Sequence, residues 1–177
     1  MFAPYSSKAV ANSILHLSQE RGVYDNTPMK IQKLVYYAHA WYLAFYGVPL
    51  IKDEIQAWKY GPVIPELYFA FSEYGDSVIQ SPTTELYYFD GKLDIIVPSV
   101  GTDDAQAFGT IVETIRVYGG FNPIQLSNMS HMDGEPWKFI ADRYGSQLPH
   151  GLEIPDNLIM ECFRKKQNQQ GAQYGRV

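Results

Sequence analysis

The sequence predicts an α+β domain, mainly α: a helical bundle around one long central helix, with a small antiparallel β-hairpin or three-strand sheet. Three observations carry this. Residues 27–46, TPMKIQKLVYYAHAWYLAFY, are the longest periodic stretch and mark their own ends. Asp90-Gly91 lies between two β-prone runs, which is the strongest short-range hairpin signal. Proline beside a capping residue opens further helices, as at Asn122-Pro123 and Pro155-Asp156.

In the central stretch the Thr27 hydroxyl can cap the first turn, and Pro28 at the first helical position has no N–H to leave unpaired. Gly47 can take the left-handed conformation that closes a helix. Between them Ile31, Leu34, Val35, Ala38, Trp41, Tyr42 and Phe45 recur at steps of three and four, which is one helical face. Lys30, Lys33 and Tyr37 fall off that stripe. Lys30 reads as a solvated flank. A helix so rich in aromatic rings is too apolar to stand in water, so the other elements are expected to pack around it.

A first helix, capped by Ser6 or Ser7, runs to about Arg21 with Val10, Ile14 and Leu17 inward and Gly22 as its stop. Residues 54–59 read as a short strand ending at the breaker Gly61-Pro62, and Pro65 starts a helix to about Tyr74. Residues 84–89 and 93–98 flank the Asp90-Gly91-Lys92 turn, with 54–59 a candidate third strand. Thr102 is the expected cap of a fourth helix, with Asp103 and Asp104 in its first turn, and Gly119-Gly120 ends it. Asn122-Pro123 starts a short helix to about His131, and Trp137–Tyr144 form a further turn or two. The last helix is expected from Pro155-Asp156 to about Lys166. Residues 1–166 thus form one domain, and the Gln/Gly-rich 167–177 a flexible polar tail.

At 177 residues, 46% hydrophobic and 19% charged, the composition is that of a folded domain and not of a disordered chain. Aromatic residues reach 15%, so some rings are expected to face a partner as well as the core. The net charge is −5, yet from Arg164 onward the chain carries four basic residues and no acid, which leaves −9 on residues 1–163. That body makes nucleic-acid binding an unpromising role, because phosphates need a basic face, and it suits a basic protein partner. A single cysteine, Cys162, fits a reducing compartment. With no signal-peptide pattern and no membrane-spanning run, the expected location is the cytoplasm and no membrane contact is expected.

The residue patterns of catalysis are missing. Cys162 has no nearby histidine to activate it and reads as a structural thiol. His131, Asp133 and Glu135 are the only local cluster of ligand types but lack helical ligand spacing, so no metal or other cofactor is expected. Gly119-Gly120 follows a helix and does not open one from a strand, which is not a phosphate loop.

Three blocks carry a resemblance. The first is Lys30-Ile31-Gln32-Lys33-Leu34-Val35-Tyr36-Tyr37 followed by Gly47-Val48-Pro49-Leu50. The second is Glu54-Ile55-Gln56-Ala57-Trp58-Lys59-Tyr60-Gly61-Pro62-Val63, then Pro65, Tyr68 and Phe71. The third is Leu126-Ser127, His131 and Pro136-Trp137. In order and spacing the chain resembles, over about residues 1–145, the Panacea domain family, which includes SocA-like antitoxins and GepA-type phage-associated proteins. The resemblance implies an antitoxin of a bacterial or prophage toxin–antitoxin system, neutralising a cognate toxin encoded by an adjacent gene through direct binding, without catalysis. A proteolytic adaptor delivering the toxin to a Clp protease is the related alternative, and an enzyme reversing the toxin's chemistry the more distant one. The motif residues Lys33, Tyr37, Trp58, Tyr60, Gly61, Pro62, His131 and Trp137 are then the candidate partner-binding or motif site. Gly61-Pro62 would bend the chain so that Trp58 and Tyr60 lie against the central helix, with Trp137 closing the other side. Lys33, Tyr37 and His131 would edge the patch. The competing reading is that these residues build the junction between hairpin and helices.

Overall fold

The computed structural model describes residues 3–145 and 147–174. Seven α-helices are present among them: α1 (Ser7–Glu20), α2 (Pro28–Tyr46), α3 (Pro65–Ala70), α4 (Ala105–Tyr118), α5 (Pro123–Ser130), α6 (Pro136–Tyr144) and α7 (Asp156–Tyr174). Two antiparallel ribbons accompany them: β1 (Gln56–Trp58) with β2 (Gly61–Val63), and β3 (Glu85–Phe89) with β4 (Lys92–Ile96).

The central helix begins and ends where its caps place it. The Thr27 side chain accepts from the Lys30 N–H, and Gly47 closes the helix at φ 73°. Helices α1, α4 and α7 pack on α2 from different sides, so its burial is not a stripe. Lys30, Gln32, Lys33, Tyr36, Tyr37 and His39 are buried along with Ile31, Leu34, Val35 and Ala38. Lys30 is therefore not a solvated flank: its ammonium lies 2.5 Å from Asp25 and donates to the Gly119 carbonyl at 2.7 Å. Phe45, by contrast, lies on the apolar stripe and is exposed.

Other expectations shift locally. The cap of α4 is Asp104, not Thr102. One Asp104 oxygen accepts from Ala107 N–H at 3.0 Å, and the other from the Tyr5 hydroxyl at 2.9 Å. The N-terminal segment thus fixes the cap, alongside its own bridge from Tyr5 to Ile51. Helix α7 continues past Lys166 to Tyr174, since glutamine and alanine are good helix formers and one glycine is tolerated. Residues 175–177 of the expected tail lie outside the described residues.

The three-strand sheet resolves into separate ribbons. Strand β1 turns at once through Lys59-Tyr60 into β2, and its other edge meets the segment before α7: Ala57 N–H donates to Leu152 O and Ile154 N–H to Ile55 O, both at 2.7 Å. Ile55, Ala57 and Ile154 are buried, which draws this ribbon onto the core, whereas β3 and β4 stand outside it.

Asn12 on α1 holds the outer ribbon by both feet. Its amide donates to the carbonyls of Thr83 and Pro98 and accepts from the Thr83 N–H, all at 2.9 Å. Asn12→Ala removes three bonds and leaves partly buried backbone groups of Thr83 and Pro98 unpaired. The expected cost is about 2 kcal/mol in denaturant unfolding, with hydrogen exchange accelerated most in residues 83–98.

Candidate functional site

The polar positions of the Lys30-Ile31-Gln32-Lys33 run are used on the backbones of other elements. Lys30 reaches Gly119 at the end of α4. Gln32 pairs with Ile64 in both directions, its amide donating to Ile64 O and its carbonyl accepting from Ile64 N–H, each at 2.9 Å. Lys33 donates to Tyr60 O at 2.8 Å and to Pro62 O at 2.9 Å. From one turn of α2, Gln32 and Lys33 therefore pin the whole return arm of the β1–β2 ribbon.

The opposite side of that turn is held by α5 and α6. The Ser127 hydroxyl donates to Tyr60 O at 3.0 Å. The Ser130 hydroxyl donates to Ser127 O at 2.7 Å, and His131 Nδ1 donates to the same carbonyl at 2.5 Å. The His131 ring lies against Trp137, with centroids 3.9 Å apart, and Trp137 Nε1 donates to Trp58 O at 2.8 Å. Gly61 threads between these groups at φ +99°. Lys33, Trp58, Tyr60, Gly61, Pro62, His131 and Trp137 are thus brought together around one tight turn. Tyr37 sits one helical turn deeper, stacked on Tyr118 at 4.4 Å with its hydroxyl on Leu126 O at 3.3 Å.

Exposure sorts the cluster. Lys33 and Tyr37 are each 1% exposed, so neither edges a surface patch as expected. The exposed members lie on the outer rim: the Tyr60 ring is 62% exposed with the Lys59 ammonium above it, and Trp58 is half-buried against Tyr68. Burial lowers the Lys33 pKa from 10.5 to about 7, because the ammonium has lost its water and gained two carbonyls but no carboxylate among the described residues.

The Glu135 carboxyl is raised by burial and partly held down by Lys166, with which it forms an ion pair tying α7 to the start of α6. His131 and Glu135 are thus engaged separately. Among the described residues no three His, Cys, Asp or Glu side chains gather closely enough to hold a metal ion. Cys162 is buried and its thiol pKa is raised by that burial, the opposite of an activated nucleophile.

Sequence reasoning missed Gln32, Ser127 and Ser130 as members of the cluster. Gln32 and Ser127 stand inside the quoted blocks, but only the fold shows that they face the same turn.

The family model described as antitoxin SocA-like, Panacea domain, matches residues 31–138, which span this cluster from Gln32 to Trp137. Among curated proteins, Antitoxin SocA of Caulobacter vibrioides (strain NA1000 / CB15N) is 32% identical over 158 residues, 89% of this chain and 82% of that protein. No solved structure matches the chain. The buried lysine–glutamine clamp and the glycine turn it holds lie inside the matched segment, and the chain belongs to the SocA-like antitoxin family with its Panacea domain.

Proposed function

We propose that this protein is an antitoxin that neutralises its cognate toxin by direct protein–protein binding in the cytoplasm, the toxin being encoded by an adjacent gene. The observation that carries the reading is the relationship to Antitoxin SocA across most of both chains. The charge distribution supports it, since a body of −9 favours a basic protein partner. No helix among the described residues is long and apolar enough to cross a membrane.

The protein acts without catalysis in this reading. The polar groups of its motif are engaged with backbone: Lys33 lies between two carbonyls, and His131 is tied to Ser127 and covered by Trp137. We assign the motif the task of holding the scaffold, with Trp58, Lys59 and Tyr60 on the solvent side of its turn.

The test is co-expression of this chain with the adjacent gene's product, scoring growth, toxin level and co-purification together. Restored growth, unchanged toxin level and a stable complex are expected. Restored growth with a shortened toxin lifetime would instead identify a Clp-directed adaptor. Rescue at substoichiometric antitoxin would identify an enzyme.

A further inference from the structure

The β3–β4 ribbon is apolar where a two-stranded ribbon meets water. In its register Leu86 faces Ile95 and Tyr88 faces Leu93, and alternation puts these four side chains on one face. They are 69%, 67%, 70% and 65% exposed. The other face carries Tyr87 and Phe89, stacked at 6.3 Å, beside Glu85, Asp94 and Lys92. An isolated hairpin is marginally stable in water, and this one is held at its feet by Asn12 and pinned at its tip by the Asp90-Gly91 turn. A contiguous exposed apolar surface of this kind marks an interaction site.

We infer that the β3–β4 ribbon is the arm by which this antitoxin engages its toxin, inserting into an apolar cleft with a basic rim. The inference rests on the direct-binding reading above. Two arguments fix the occupant. The first is area. Aromatic side chains offer on the order of 150–250 Å² when fully covered; with the lower end taken for the aliphatic ones, Leu86, Tyr87, Tyr88, Phe89, Leu93, Ile95 and Val97 at their observed exposures offer roughly 650–850 Å². That is one partner's share of a standard interface, about 800 Å². The face of Leu86, Tyr88, Leu93, Ile95 and Val97 supplies roughly two thirds to three quarters of this, so a second ribbon stacked on that face alone stays below a standard partner's share, and a cleft covering both faces reaches it. The second is charge. Residues 85–96 hold Glu85, Asp90 and Asp94 against Lys92, a net of −2 on a body of −9. A second copy would bring like charge to like, while a basic partner is attracted. Lys8 and Lys52 lie only at the root, beside Glu85, Leu86 and Ile95.

Two variants and one mapping experiment test this with the adjacent gene's product as the probe. Tyr88→Ser with Leu93→Ser removes the outer apolar pair, which touches no core, so the melting temperature stays near wild type. Affinity is expected to fall at least about thirtyfold, as for a central interface pair. Asp94→Lys keeps both apolar faces and is expected to slow association about tenfold at low salt. Hydrogen exchange of the wild-type complex is expected to show new protection across residues 85–96. A wild-type complex with an unprotected ribbon, and with the double variant binding within threefold of wild type, overturns the inference. So does a free protein that is a dimer in light scattering and a monomer in the double variant, which would make the ribbon a self-association surface. Absence of any wild-type complex overturns the direct-binding reading itself, and the arm with it.

Discussion

Gly61→Ala is expected to destabilise the protein by about 3–4 kcal/mol in denaturant unfolding. Two independent costs add at this position. The backbone sits at φ +99°, where any residue with a Cβ is strained by about 1–2 kcal/mol. A methyl group would also lie 2.5 Å from the Ser130 hydroxyl, 2.8 Å from Lys33 Nζ and 3.3 Å from His131 Cε1. None of these neighbours is free to retreat, because Ser130 and His131 are bonded to Ser127 O and Lys33 to two carbonyls. Overpacking of this kind costs about 1–3 kcal/mol. Gly91→Ala is the control. Its φ is +73°, but nothing lies within 4 Å of the added Cβ, so only the strain of about 1 kcal/mol is expected. Equal losses in the two variants would show that the crowding around Gly61 is not real.

The second large effect is a pH dependence that belongs to Lys33. Its pKa falls from 10.5 to about 7 on folding, through burial. Between pH 7 and 10.5 the unfolded chain therefore holds a proton that the folded chain has released. By linkage the unfolded state binds more protons there, so stability rises with pH across this window, and the full cost of burying the amine is present below pH 7. The slope approaches about 1.4 kcal/mol per pH unit. From pH 7 to pH 9 the wild type should gain about 2 kcal/mol relative to Lys33→Met, which has nothing to titrate at this position. Comparing the two proteins cancels the opposite trend from Cys162 and from the buried tyrosines Tyr5, Tyr36, Tyr37, Tyr42 and Tyr118, whose raised pKa values keep the native state protonated and so lower stability as pH rises. Parallel stability curves for wild type and variant would mean that Lys33 stays charged at the turn.

Local chemistry is what the sequence by itself determined. Thr27, Pro28 and Gly47 delimit the central helix, Asn122 caps α5 ahead of Pro123, and Asp90-Gly91 makes the turn between β3 and β4. Each is settled by bonds within a few residues, so each is legible from a few residues. The family blocks also pointed to one cluster, and the fold brings Lys33, Trp58, Tyr60, Gly61, Pro62, His131 and Trp137 to one turn. Only the tertiary structure decided which of these positions are interior. Lys30 and Lys33 lie off the apolar stripe of α2, and periodicity assigns such residues to water. Both are buried because the carbonyls of Gly119, Tyr60 and Pro62 arrive opposite them from distant parts of the chain. A charge can leave water only where such partners exist, and no local pattern encodes them. The same reason operates in reverse at β3–β4. Its apolar residues would suit a core as well as a surface by pattern alone, but the core is already filled by helices packed around α2, and the ribbon is left for solvent.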